Sequence, residues 1–519
     1  MVLKTPFMGF SGGVSSEHPL ASIVGCQVLD KGGNAVDAAV SVSLTLAVTQ
    51  PHLGSIGGDF FALIFEASSG EIHCLNSSGW TPKGLNLQLL EERGLKHIPV
   101  NSPHAVVVPG LVSGLQMIHE RFGTMSFREL TEKAVSLAEE GFPVTHGLSR
   151  AIERGREKLI GQTEASIFFR DHGEPLRPGD IIYQRALAKT LRSIASNPRE
   201  FYEGWIAESL CRFLNSMGGV FDIDDFSEYE GEWVSPLKTN YRGFDVYEVP
   251  PNSQGATTLI LLNILENFDL QKLDPLGARR IHIFVEAAKR AYMEKNRHLG
   301  DPRFVDIPLE ELLSKEKGRK LAETIREEGI IIDASLSPGD TTNFVVIDRW
   351  GNVVSAIQSI FHHFGSGLID PETGILLNSR ASYFTFSGPN RLEPRKRPLH
   401  TLSAVIAASE EGEILALGTS GGDYRPQQHA LLLTNLIDYG LDLQRAVELP
   451  RFLWMGGADI LVEEGYKGLE ELTRIGHKIS LGEYPGRTGV AHCGIRRQRL
   501  NILSADVRGD GIPIGPLSR

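Results

Sequence analysis

A chain of 519 residues with 41% hydrophobic and 22% charged side chains holds enough apolar material for a large core and too much for a disordered segment. Its formal net charge of -12 argues against non-specific nucleic-acid binding, which demands a basic face, and points to small-molecule partners. Cys26, Cys74, Cys211 and Cys493 are widely separated without a Cys-x-x-Cys pair, so neither a zinc knuckle nor a disulfide framework is indicated.

Met1 to Phe10 lacks the continuous apolar core of a signal peptide, so a cytoplasmic location is expected. Gly32-Gly33 then breaks a first helix, Asn34 suits an N-cap, Asp37 suits the positive first turn, and Pro51 ends the segment. The apolar run from Ala35 to Val48 is too short to cross a bilayer, and its small residues Ala35, Ala38, Ala39 and Ser43 fit close helix packing. No Walker lysine and no G-x-G-x-x-G spacing follows Gly32-Gly33, so no nucleotide cofactor is implied.

Phe60 to Glu66 and Val106 to Val108 read as short buried strands. Ser126 reads as the cap of a helix carrying Leu130, Ala134, Leu137 and Ala138, and Leu187 to Ile194 and Ile281 to Tyr292 repeat that periodicity. Phe344 to Ile347 and Val353 to Ile360 flank the turn chemistry of Arg349-Trp350-Gly351-Asn352 and predict a hairpin. Leu415 to Leu417 reads as a strand, Gly418 to Gly422 as a flexible turn, and His429 to Ile437 as a helix. Sheets packed between helix layers satisfy the whole set, with no low-complexity linker to divide it.

The hairpin opens on Gly339-Asp340-Thr341-Thr342. Cutting the Asp340–Thr341 bond would give Thr341 a hydroxyl and a free α-amine, and that amine, with a pKa near ~8, can accept the hydroxyl proton at physiological pH. With the tip near Trp350, cross-strand partners have numbers summing to about 700, which brings Ser359 opposite Thr341. An ordinary hairpin with threonine at a strand start is the competing reading of this segment.

Lys31-Gly32-Gly33-Asn34-Ala35-Val36-Asp37-Ala38-Ala39-Val40 and Pro51-His52-Leu53-Gly54-Ser55-Ile56-Gly57-Gly58 resemble the signature of the γ-glutamyltransferase (glutathione hydrolase) family. Similar landmarks follow in family order: Pro109 to Gly114, Phe201 to Gly204, Pro250 to Gly255, Gly300-Asp301-Pro302, Thr341-Thr342, Phe364 to Gly367, Gly374 to Asn378, Lys396 to Leu399, Ser420-Gly421-Gly422 and Arg508 to Gly511. The resemblance covers nearly the whole chain. It implies an α+β fold, the four-layer αββα sandwich of the N-terminal nucleophile hydrolases, with self-processing at Asp340–Thr341 into a large segment, 1–340, and a small segment, 341–519. It also implies that the Gly421-Gly422 amides stabilise an oxyanion, where backbone donors and the absence of side chains both help.

The pocket for the acyl group departs from the family. The arginine that grips the substrate α-carboxylate is matched by Leu87, an asparagine by Phe361, a glutamine and an aspartate by Arg380 and Tyr383, and a serine pair by His400-Thr401. The lid between Phe384 and Pro398 is shortened. Arg380 is a candidate partner for a substrate carboxylate, with Arg425 and His400 as weaker candidates of the same kind. His362-His363 lacks a completing carboxylate or cysteine, so no metal is expected.

The sequence therefore predicts a self-processing amidohydrolase or acyltransferase of the γ-glutamyltransferase type, with Thr341 as nucleophile, Ser359 orienting its hydroxyl, and Arg380, Tyr383, His400, Thr401 and Arg425 around the acyl group. It acts on a γ-glutamyl or related small carboxylated amide, and self-association of processed heterodimers is compatible with the reading. A cephalosporin-acylase-like or oxamate-type amidohydrolase is one alternative. An unprocessed, non-catalytic binding or structural relative is the other.

Overall fold

The computed structural model describes residues 4–160, 162–332, 336–337 and 339–517. Two antiparallel seven-stranded sheets lie face to face. The first runs, in spatial order, Ile512–Ile514, Gly12–Ser16, Asp340–Asp348, Val353–Phe361, Asp59–Glu66, Glu71–Ser77 and Glu232–Val234. The second runs Phe7–Gly9, Leu500–Ala505, Ala491–Arg497, Ile414–Thr419, Val405–Ser409, Phe244–Glu248 and Leu237–Tyr241. Strands from both sides of the 340/341 bond are hydrogen-bonded to one another in each sheet, so the two segments are interleaved.

Strand alternation sorts the apolar residues into three layers of core. Phe61, Leu63, Val345, Ile347, Val353 and Ile357 of the first sheet meet Ile406, Ile414, Ala416 and Leu503 of the second. The other face of the first sheet, with Phe60, Ala62, Phe344, Val346 and Ala356, packs on the helix Ala35–Thr49 and its neighbours. The outer face of the second, with Val405, Ala407, Leu415 and Leu417, packs on Gly255–Leu265, Ala278–His298 and Arg425–Ile437. This is the αββα order. The strand Asp340–Asp348 is central in its sheet and buried on both faces, which fixes its register.

Local chemistry explains the helix starts. Asn34 and Asp37 form a capping box for Ala35–Thr49, and Ser126 and Glu129 form another for Phe127–Glu140. The remaining helices extend beyond the sequence reading, to Arg185–Ser196 and Ala278–His298. Two expectations need correction. Val106 to Val108 is buried and extended but joins no sheet, because Val108 N–H donates to the Trp80 carbonyl at 2.9 Å and both polar groups of Val107 are taken by the Asn378 side chain. The helix expected from His429 begins at Arg425, where Pro426, lacking an N–H, is tolerated in the first turn. Among the described residues no helix is long and apolar enough to cross a membrane.

Candidate active site

Asp348 builds the hairpin tip by accepting hydrogen bonds from the amides of Trp350, Gly351 and Asn352 at 2.8–2.9 Å. From there the two strands pair as Ile347 with Val353 back to Thr342 with Gln358, the register expected from the sequence. The ladder then breaks. Asp340 pairs with Phe361, so Ser359 and Ile360 form a β-bulge opposite Thr341, a feature common beside active sites. Thr341 is 1% exposed and its Oγ1 has no hydrogen-bond partner among the described residues.

Ser359 lies beside Thr341 as the register requires, but its hydroxyl serves a different atom. Ser359 Oγ donates to the Asp340 carbonyl oxygen at 2.6 Å and accepts from Phe361 N–H at 2.8 Å. It therefore grips the carbonyl of the bond that precedes Thr341 rather than orienting the Thr341 hydroxyl.

The glycine turn approaches the same bond from the second sheet. The strand Ile414–Thr419 runs into Gly421 at φ 138° and Gly422 at φ 56°, and a 3₁₀ turn, Gly422–Tyr424, leads into the helix Arg425–Ile437. A Cβ at Gly422 would lie 2.0 Å from Gly339 N, which excludes a side chain there, and the positive φ of Gly421 disfavours one at that position. Asp423 N–H donates to the Ser337 carbonyl at 3.0 Å, and Ser337 N–H donates to Asp423 Oδ2 at 2.9 Å. In the uncleaved chain the residues before the bond thus lie directly on the glycine turn. The helix dipole points its positive end at that turn, where negative charge is favoured.

The residues that depart from the family converge on one buried network. Arg380 stacks over Phe361 at 4.2 Å and donates to Thr401 Oγ1 at 3.0 Å, and Phe361 packs edge-on against Tyr383 at 5.4 Å. His400 Nε2 meets Asp59 Oδ2 at 2.9 Å while its Nδ1 accepts from Leu402 N–H, which fixes the tautomer. Arg425 Nε donates to the Thr419 carbonyl at 2.7 Å. Gln254 Nε2 ties the network to the glycine turn, donating to the carbonyls of Thr401 and Gly422 at 2.9 Å each. Leu87, by contrast, packs with the apolar cluster of Leu85, Leu90, Ala381 and Phe384.

Charge states follow from burial. Burial, reinforced by Arg380 and opposed by Asp59, lowers His400 to about 3, so it is neutral. Burial lowers Arg380 to about 10 and Arg425 to about 9, the latter also through Arg380, and both remain charged at neutral pH. At the bond itself, burial raises the Asp340 carboxyl, opposed by His363, Arg154 and Lys158. His363 Nε2 lies 3.1 Å from Asp340 Oδ2, its ring stacks on His52 at 5.6 Å, and Lys158 Nζ holds its carbonyl at 2.8 Å. His362 bonds to Ser379 Oγ at 3.0 Å. The three-ligand groups of metal-binding type among the described residues, His282, Glu286, His477 and Glu66, Glu71, His73, include none of these positions.

Asp59 and Asp423 were not singled out by the sequence reading. Asp59 accepts from Gly79 N–H at 2.7 Å as well as from His400, and lies 3.6 Å from Arg380 Nε. Asp423 Oδ1 receives Lys295 Nζ and Tyr383 Oη, each at 2.5 Å. A signal existed for both: an acid opens the apolar run Asp59 to Phe65, and another directly follows the glycine pair.

The geometry agrees with the comparisons. The family model described as gamma-glutamyltranspeptidase matches residues 21–515. The chain is 37% identical to the glutathione hydrolase-like YwrD proenzyme of Bacillus subtilis, over 97% of this chain and 98% of that one. It is 33% identical to the oxamate amidohydrolase proenzyme of Klebsiella pneumoniae, over 96% and 97%. The crystal structure of cephalosporin acylase from Bacillus halodurans superposes with a TM-score of 0.93 at 30% identity, over 99% of this chain and 98% of that one. With the αββα sandwich and the strand-borne threonine already in place, these matches establish that the chain belongs to the γ-glutamyltranspeptidase family of self-processing amide-cleaving enzymes.

Proposed function

We propose that the chain cleaves itself between Asp340 and Thr341 and then uses Thr341 as the nucleophile of an amidohydrolase acting on small carboxylated amides. The observation that carries this reading is the buried, unpartnered Thr341 Oγ1 opposite a bulge, beside an Asp340 carbonyl already held by Ser359 Oγ at 2.6 Å. In self-cleavage Thr341 Oγ attacks the Asp340 carbonyl carbon and the hydroxyl proton passes to the departing Thr341 nitrogen, giving an ester. Water then hydrolyses the ester, leaving the Asp340 carboxylate and a free Thr341 α-amine. Ser359 is aimed at the oxygen on which negative charge develops.

In turnover the same hydroxyl attacks the substrate amide, its proton moves through the α-amine to the leaving amine, and water or an acceptor amine releases the acyl group. Gly421 and Gly422 N–H groups serve the tetrahedral oxyanion once Gly339 no longer covers them. The segments 1–340 and 341–519 remain one folded body because their strands are interleaved. Denaturing electrophoresis tests the reading: wild type resolves into two fragments, whereas Thr341→Ala stays a single 57.0 kDa chain and cleaves no amide. A wild-type chain that stays intact, or a processed Thr341→Ala, overturns it.

A further inference from the structure

Phe361 and Phe364 stand at φ 80° and 56°, a left-handed backbone that bulky side chains seldom adopt, and they flank His362-His363 where the strand Val353–Phe361 turns away from the hairpin. Such strain persists only where the surroundings over-determine it, and this turn is pinned at every residue. Lys158 Nζ donates to the His363 and Gly365 carbonyls at 2.8 and 2.9 Å, Phe364 N–H donates to the His52 carbonyl at 3.0 Å, and His362 Nδ1 meets Ser379 Oγ at 3.0 Å. The His363 ring stacks on His52 at 5.6 Å, and its Nε2 stands 3.1 Å from Asp340 Oδ2.

This contact reaches the second branch of the residue whose peptide bond is cut. Ser359 Oγ holds the Asp340 carbonyl at 2.6 Å while His363 meets its carboxyl. Two anchors on different branches of one Cα fix the torsion about the Asp340 Cα–C bond, and with it the face of the carbonyl carbon offered to Thr341. Among the described residues no other basic side chain makes an ion pair with Asp340: Lys158 donates to the two carbonyls of the turn, and Arg154 acts on the carboxyl at longer range. Given the self-cleavage reading, on which this rests, we infer that His363 is a positioning residue of self-cleavage: it holds the Asp340 side chain and thereby presents the Asp340 carbonyl to the Thr341 hydroxyl. His363 exchanges no proton and forms no bond in that reaction, and its action ends when the Asp340–Thr341 bond is cut.

Cell-free synthesis sampled by denaturing electrophoresis gives self-cleavage rates for single and paired variants. Misplacing a reacting group by about 1 Å is worth on the order of 10²-fold, so His363→Leu and Asp340→Ala should each slow cleavage by about 10- to 100-fold. Because the two side chains act through each other, the double variant should be no more than about threefold slower than the slower single. His363→Gln keeps an N–H donor near the place of Nε2 and should stay within about fivefold of wild type, whereas His363→Leu, which fills the same space beside His52 without a polar atom, should not. Urea midpoints of the same substitutions in the Thr341→Ala background, which stays uncleaved, confine the comparison to chains that fold. Wild-type rates in Asp340→Ala, equal slowing by His363→Leu and His363→Gln, or a double variant slowed by the product of the two singles overturns the inference. A wild-type chain that never cleaves overturns the self-cleavage reading and this inference with it, whereas prompt cleavage untouched by these substitutions overturns the inference alone.

Discussion

Removing the Ser359 hydroxyl should slow self-cleavage by about 100- to 1,000-fold. Ser359 Oγ is 2.6 Å from the Asp340 carbonyl oxygen, and this oxygen takes up negative charge when Thr341 attacks. The bond already exists in the uncleaved chain and strengthens as charge develops on the oxygen, and losing a donor to a developing oxyanion costs about 2.7–4 kcal/mol of transition-state stabilisation. Ser359→Ala also strips the Phe361 amide of its acceptor at 2.8 Å, costing about 1–3 kcal/mol of folded stability, so the variant must be compared at a temperature where it stays folded. Chains made in a cell-free reaction and sampled over time by denaturing electrophoresis give the rate of loss of the intact band. Ser359→Thr keeps the hydroxyl and should restore most of the rate. Wild-type kinetics in Ser359→Ala would refute the oxyanion role, and equal slowing in Ser359→Thr and Ser359→Ala would show that packing, not the hydroxyl, matters.

Thr342→Ala should leave processing within a few-fold of wild type, because Thr342 lies in the regular ladder opposite Gln358, and rates measured beside Thr341→Ala decide which threonine acts. Gly422→Ala should abolish processing or lower it by at least tenfold, since a Cβ 2.0 Å from Gly339 N displaces the residues before the bond and φ 56° itself costs about 1–2 kcal/mol; the same time course reads it. Stability should fall as the pH drops below about 6.5. Burial holds His18 and His477 at about 4 and His400 at about 3, so the unfolded chain takes up protons first, and each histidine loses about 2 kcal/mol by pH 5, measurable as a falling urea midpoint. A flat profile between pH 7 and 5 would contradict this.

The fold was legible where local chemistry and periodicity agreed. Asn34 with Asp37 and Ser126 with Glu129 are capping pairs written in the sequence, and the hairpin register followed from placing its tip near Trp350. Val106 to Val108 was misread because an apolar β-branched run does not reveal its backbone partner, here the side chain of Asn378. The start of the helix Arg425–Ile437 was missed because Pro426 reads as a breaker unless it stands in a first turn. Within the site, residues near Thr341 in the hairpin could be placed by counting, but the direction of the Ser359 hydroxyl could not, since it depends on the bulge. The pairing of Asp59 with His400 and of Lys295 with Asp423 joins residues more than 100 positions apart, which no local pattern encodes.

N-terminal sequencing of the smaller fragment bears most directly on the whole account. Cleavage at the bulge predicts Thr-Thr-Asn-Phe, beginning at Thr341 with a free α-amine, in wild type and no such fragment in Thr341→Ala. A fragment beginning at Thr342, at another residue, or with a blocked amine would contradict the assignment of Thr341 as the nucleophile.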